Sequence, residues 1–154
     1  MKQKLSIVIV LLLPIFIFGT ELKAQSNWEV GMRFGNNISI DATIPIGLSP
    51  RFHPSIYFDR SGIGGYFDWM FALSGGPSGL KFYLGVGPEL LFGNNVDVAI
   101  AGDFGVEYTF DFPLTIGFDW RPGFTLTNKF KGKSSNWGFT ARWRIGQGKL
   151  VRVN

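Results

Sequence analysis

The chain has 154 residues, with 15 Lys and Arg against 11 Asp and Glu, and it contains no cysteine. This length fits one domain, and the lack of cysteine excludes disulfides, thiolate metal sites and a lipidated N-terminal cysteine. The formal net charge of +4 falls when the first 24 residues are removed, so the basic composition is no argument for nucleic acid as a partner.

The N-terminal segment has the pattern of a signal peptide. Lys2 and Lys4 precede an apolar run that continues to Gly19, and Ala24 supplies a small residue at the expected cleavage site. The run is short for a membrane-spanning helix, which needs about 20 apolar residues. We therefore predict a signal peptide at 1–24 and a single mature domain at 25–154, in which strands occupy about 28–145 and a short tail occupies 146–154.

Eight segments after the leader alternate apolar and polar residues with a period of two. The first segment shows the pattern: Trp28, Val30 and Met32 share one face, while Glu29 and Arg33 share the other. Glycine, asparagine and proline separate the segments, as tight turns require. In chain order the predicted strands are 28–34, 38–46, 51–58, 63–73, 80–92, 96–110, 114–126 and 136–145.

The apolar face carries no charge in any segment and holds many Trp and Phe residues, whereas the opposite face is rich in glycine and charge. Glycine weakens a strand exposed to water but makes room inside a narrow barrel. Several segments reach the roughly 9–11 residues that cross a bilayer, and an even number of strands closes without a free edge. These features predict an all-β fold, an eight-stranded antiparallel up-and-down transmembrane β-barrel. A soluble, exported sandwich or lipocalin-like binder is the alternative fold.

The final segment resembles the terminal strand of small outer-membrane barrels of the OmpA/OmpX type. Asn136 is followed by Gly138 and then by spaced hydrophobic residues up to Trp143, and 107–110 and 119–122 are also similar to such barrels. The resemblance implies an outer-membrane location, contact with outer-membrane lipid and lipopolysaccharide, and insertion by the barrel-assembly machinery. Two features depart from the family: nine residues follow the last strand, and the hairpins expected at the cell surface are short.

An eight-stranded barrel is just wide enough for side chains to fill it, so its inward charges are expected to pair. If Phe110 and Leu114 face each other across their turn, Asp103 lies opposite Arg121. Asp97, Arg51 and Lys81 also have inward parity. The predicted structural ion-pair network of the lumen comprises Glu29, Arg33, Asp41, Asp68, Glu89, Asp103, Glu107, Asp119, Arg121, Arg142 and Arg144. A proton or ion path along these groups is the functional alternative.

Candidate chemistry is sparse. His53 is the single histidine, and with Ser55 it raises the alternative of a lipid-modifying outer-membrane enzyme, although its parity places it inside the barrel. No spacing matches a metal or phosphate motif, so we expect no cofactor, no metal and no catalytic residue. The predicted function is a non-enzymatic envelope or surface-contact role without an open pore. Possible surface contacts lie in the longest outer loop, at Lys129, Phe130, Lys131 and Lys133.

Overall fold

The computed structural model describes residues 28–59, 61–73, 75–93, 95–127, 131–133 and 136–145. The predicted signal peptide and C-terminal tail lie outside these residues. The strands are β1 (Trp28–Gly35), β2 (Ser39–Pro45), β3 (Pro50–Tyr57), β4 (Gly62–Ala72), β5 (Leu80–Phe92), β6 (Val96–Thr109), β7 (Leu114–Trp120), β8 (Gly123–Thr125), β9 (Lys131–Lys133) and β10 (Trp137–Ile145).

The strands form a closed antiparallel barrel. Consecutive strands pair from β1 to β7, and β1 pairs with β10 along a seam that runs from Trp28 opposite Ile145 to Gly35 opposite Gly138. β10 pairs in turn with β7, which closes the sheet on itself. The predicted all-β, eight-stranded antiparallel barrel is therefore confirmed. β7 and β8 belong to one crossing of the barrel wall, and β9 is a short addition in the loop that follows.

One predicted strand is interrupted. The segment 114–126 was expected to be continuous, but the structure divides it into β7 and β8 at Arg121 and Pro122. Proline has no N–H to donate, so Pro122 takes part in the sheet only through its carbonyl oxygen, which accepts a hydrogen bond from the Gly102 N–H at 2.8 Å. The register continues across the gap, since Phe104 lies opposite Trp120 and Ala99 lies opposite Thr125. Beyond the gap β8 pairs with β9.

The two ends of the barrel hold different connections. The terminal end contains the beginning of β1, the end of β10 and the turns after β2, β4 and β6. The loop end contains the turns after β1, β3 and β5 and the loop before β10. At the terminal end Gly75 adopts a φ of 82°, a conformation that glycine reaches without strain.

The faces follow the alternation of the sequence. Thirty large hydrophobic side chains among the described residues are exposed, whereas the buried hydrophobic residues are three tyrosines and two alanines. The buried side chains are mainly charged or polar, and Arg33, Arg121 and Arg142 are among the largest of them. The interior of this barrel is thus its polar side.

Inward glycines leave space for the larger interior side chains. A Cβ atom on Gly105 would overlap the ring and hydroxyl of Tyr83, and one on Gly138 would overlap the guanidinium of Arg33. Both tyrosine and arginine are fully buried, so neither has free volume into which it could retreat. Glycine at these positions is a packing requirement of the filled interior.

We expect Gly105→Ala to destabilise the barrel by about 1–3 kcal/mol, because the added methyl group displaces the buried Tyr83 ring. Gly93→Ala in the exposed turn after β5 is the matched control, since the nearest atom to its added methyl is 3.7 Å away. Urea unfolding of the two variants in detergent measures the difference. Equal stabilities would contradict the close packing around Tyr83.

Candidate functional site: the charged interior

The interior brings together many ionisable groups from all around the barrel. Among the described residues, seven carboxylates, four arginines and one histidine are buried. The carboxylates belong to Glu29, Asp41, Asp68, Glu89, Asp103, Glu107 and Asp119, and the cations are Arg33, Arg51, Arg121, Arg142 and His53. A buried charge is costly unless a partner compensates it, so the arrangement of partners decides what the interior can do.

At the loop end, Arg33 holds a cluster of polar groups. Its Nε donates to Asp119 Oδ1 at 2.7 Å, and its NH2 donates to the carbonyl of Asn136 at 3.2 Å. Asn136 Oδ1 also accepts from Asn37 at 3.2 Å. Neither Asn37 nor Asn136 was expected in the interior network, although the inward parity of Asn136 with Gly138 was a signal that could have placed Asn136 there.

At mid-height, Arg121 connects three strands. Its Nε donates to Asp103 Oδ1 at 3.1 Å, its NH2 to Asp41 Oδ2 at 2.7 Å and its NH1 to Ser55 Oγ at 3.0 Å. The guanidinium also lies over the Tyr66 ring, 4.8 Å from its centroid. Asp103 and Arg121 face each other, the arrangement expected from the turn, in which Phe110 N–H bonds to Leu114 O at 3.0 Å.

Nearer the terminal end, two carboxylates alternate with two arginines. Glu107 Oε2 accepts from Arg51 NH1 at 2.8 Å and also from Arg142. Arg142 Nε donates to Glu29 Oε2 at 3.2 Å, and Glu29 accepts from Thr115 at 2.7 Å. Each of these carboxylates therefore has at least two donors, which compensates the loss of water around it.

His53 is enclosed by three carboxylates. Its Nδ1 lies 3.0 Å from Asp68 Oδ2 and 2.9 Å from Asp103 Oδ2, while its Nε2 lies 3.0 Å from Asp41 Oδ2. Ser55 is instead bonded to Arg121. The described contacts thus give no His53–Ser55 pair of the kind that a serine nucleophile needs.

Two residues expected in the ion-pair network have other partners. The Arg144 guanidinium donates to the carbonyls of Phe110 and Phe112 at the turn after β6, although its backbone lies opposite that of Glu29. Glu89 accepts hydrogen bonds from Tyr57 at 2.9 Å and from Tyr66. Both are polar members of the interior, but their described partners are neutral groups.

The proposed surface contacts lie mostly beyond what the structure describes. Lys129 and Phe130 lie outside the described residues. Lys131 and Lys133 belong to β9, whose backbone pairs with Thr125 and Gly123.

This fold and interior define a class: a closed antiparallel barrel with an apolar outer surface and a filled, charged interior. The described residues contain no helix that is both long and apolar enough to cross a bilayer. No protein-family model matches the chain, and the searches of curated proteins and of solved structures found no match.

Proposed function

We propose that the chain is a small, non-enzymatic outer-membrane β-barrel protein with a structural or surface-contact role in the cell envelope of a diderm bacterium. Its partners are outer-membrane lipid and lipopolysaccharide, and the barrel-assembly machinery inserts it. The observation that carries the proposal is the reversed polarity of the barrel. Charged groups occupy the interior, and hydrophobic side chains form the outer surface.

The outer surface favours lipid over water as its surroundings. Exposed side chains such as Phe67, Val86 and Phe139, each 48–49% exposed, belong to strands that pair into one continuous sheet. A soluble monomer rarely presents a contiguous apolar surface of more than a few hundred Å². Hydrocarbon solvates such a surface without penalty, and a closed barrel satisfies its backbone hydrogen bonds internally.

The tryptophans support a transmembrane position. At the terminal end Trp28 pairs with Ile145, Trp69 with Pro50 where β3 begins, and Trp143 with Leu114 where β7 begins. Trp137 begins β10 at the loop end and stacks on Trp120, with ring centroids 5.4 Å apart. Barrels in outer membranes carry aromatic residues in two girdles, one at each interface.

The filled interior supports a role without a pore and without catalysis. The fully buried side chains inside the barrel include those of Arg33, Arg121, Arg142, Tyr66 and His53. His53 is therefore shut away from the outer surface, where a lipid substrate would bind. The predicted signal peptide agrees with export to the envelope.

We expect the protein to sediment with outer membranes and to migrate differently in SDS gels before and after boiling. The shift arises because a closed barrel with its backbone bonds satisfied resists SDS until it is heated. Membrane fractionation followed by paired boiled and unboiled gel lanes measures both properties.

Release of the protein into the soluble periplasmic fraction would contradict the membrane assignment and favour an exported binder. A change in lipid A acyl chains upon expression, compared with an empty vector, would contradict the non-enzymatic role.

A further inference from the structure

We propose that the interior of the barrel holds a divalent transition-metal ion between His53, Asp68 and Asp103. The proposal is independent of what surrounds the outer surface. The three side chains are fully buried, and one ligand atom from each lies within 4.8 Å of the other two. No metal site was expected from the sequence, because these residues come from β3, β4 and β6 and have no motif spacing.

The register builds this site from one row of residues across the wall. Arg51 lies opposite Asp68, Asp68 lies opposite Gly85, and Gly85 lies opposite Asp103. Gly85 has no side chain, so the two aspartates approach each other over its backbone; a Cβ atom there would overlap Asp68 Oδ1. Arginines hold both outer ends of the row, since Arg51 Nε bonds to Asp68 Oδ2 at 3.0 Å and Arg121 Nε bonds to Asp103 Oδ1 at 3.1 Å.

One aspartate oxygen at this place receives no hydrogen bond. Asp68 Oδ1 is buried and without a hydrogen-bond partner in the described part of the chain, whereas Asp103 Oδ2 lies 2.9 Å from His53 Nδ1. His53 Nδ1 faces oxygens of both aspartates at 2.9 and 3.0 Å, but it has at most one hydrogen to donate. The two carboxylates share this one hydrogen, and a cation in the same place would contact both.

The spacing is near that of a metal site. Two ligands of a tetrahedral Zn²⁺, about 2.0–2.1 Å from the metal, lie about 3.3–3.4 Å apart. The oxygens now 2.9 and 3.0 Å from His53 Nδ1 would therefore move outward by about 0.4 Å when the ion binds. On the far side of the ring, His53 Nε2 lies 3.0 Å from Asp41 Oδ2 and 3.2 Å from Arg121 NH2. With a metal on Nδ1, Nε2 carries the hydrogen and donates it to Asp41, as metal-binding histidines do to a second-shell carboxylate. One imidazole nitrogen with two carboxylates favours Zn²⁺, Mn²⁺ or Fe²⁺ over Mg²⁺ and Ca²⁺.

Binding exchanges one cation for another in the interior. A protonated His53 carries one positive charge among three carboxylates, and a divalent ion on the neutral imidazole carries two. The proton that leaves Nδ1 passes to the solvent, so binding releases a proton. Because the site is buried, we expect the ion to enter as the strands close, and its role is structural.

The experiment refolds the whole chain in detergent with and without Zn²⁺, removes loosely bound metal on a desalting column, and measures the zinc content. We expect about one Zn²⁺ for each folded chain, with an excess of Mg²⁺ unable to displace it. Refolding in Co²⁺ is expected to give visible absorption bands that report nitrogen and oxygen ligands in the interior. Absence of bound zinc from the folded wild-type protein would overturn the proposal.

Variants locate the ion. Asp103→Asn and Asp68→Asn are expected to abolish binding, and Asp41→Asn to weaken it about 10–100-fold by removing the second-shell partner of His53. Glu29→Gln is the matched control, a buried carboxylate bonded to Thr115 and Arg142, and it is expected to leave binding unchanged. The boiled and unboiled gel lanes verify that each variant is folded. Full zinc binding by a folded Asp103→Asn variant would place the ion elsewhere and overturn the proposal; if that variant does not fold, the wild-type measurement still decides.

Discussion

Replacing Val86 by arginine is expected to block insertion of the barrel into lipid bilayers. Val86 is the seventh of the 13 residues of β5, points outward and is 48% exposed. An arginine on the lipid-facing surface costs about 2–4 kcal/mol at the midplane of a bilayer. In water the same substitution replaces an exposed apolar side chain by a soluble one and costs little. The variant therefore distinguishes the two possible surroundings of the outer surface.

Leu48→Arg is the control for this experiment. Leu48 lies in the turn after β2 and is fully exposed, so the same change of residue type falls at the terminal end of the barrel, where the expected cost is about 0–1 kcal/mol. Refolding into vesicles, followed by the boiled and unboiled gel assay, measures the folded fraction of each variant. If Val86→Arg inserts as well as Leu48→Arg, the outer surface does not meet hydrocarbon and the proposed function is wrong.

The alternation of the sequence predicted the strands. The uncharged aromatic face, the glycine-rich charged face and the strand lengths together predicted a barrel with its apolar side chains outward. Each strand has one apolar and one polar face, and a one-residue slip would exchange them, so the pattern determines the register wherever the faces differ. The facing pair of Asp103 and Arg121 also followed from the turn at 110–114, because hairpin register is determined by the turn. These inferences needed only local information.

The interior partners could not be predicted in the same way. Arg121 bonds to Asp41, which lies on the other side of the seam between β1 and β10, so this contact depends on the width and tilt of the closed barrel. The position of His53 among Asp41, Asp68 and Asp103 arises from the same closure. Gly85, which lies opposite Asp68, has no side chain and leaves room for these groups. Parity assigns a residue to the interior, but it does not give its height or its partner.

Arg144 and Glu89 illustrate this limit. Both have inward parity. Arg144, however, lies so close to the terminal end that its guanidinium donates to backbone carbonyls of the turn after β6. Glu89 lies beside two tyrosines, whose hydroxyls both donate to its Oε1. The interruption at Pro122 was readable in principle, because a proline within a paired strand removes a hydrogen bond.

Replacing either Arg33 or Asp119 is expected to lower the stability of the barrel more than any other substitution at its loop end. Arg33 and Asp119 are both fully buried, and their closest nitrogen–oxygen distance is 2.6 Å. Arg33→Met leaves the Asp119 carboxylate without its main partner. Asp119→Asn leaves the Arg33 guanidinium without the carboxylate that compensates its charge. Removal of one partner from a buried pair costs about 3–5 kcal/mol, most of which is the penalty of the remaining charge.

The double variant Arg33→Met with Asp119→Asn separates the penalty of a remaining charge from the contribution of the ion pair to the free energy of unfolding. Because it leaves neither charge behind, we expect the combined loss to fall short of the sum of the single losses by about 1–3 kcal/mol. Urea unfolding in detergent measures all four proteins, and Asp111→Asn in the exposed turn after β6 is the control, with an expected change within about 0.5 kcal/mol. Additive losses would show that Arg33 and Asp119 are compensated separately by their other neighbours. A coupled loss would mean that Arg33 and Asp119 are each tolerated in the interior because the other faces it.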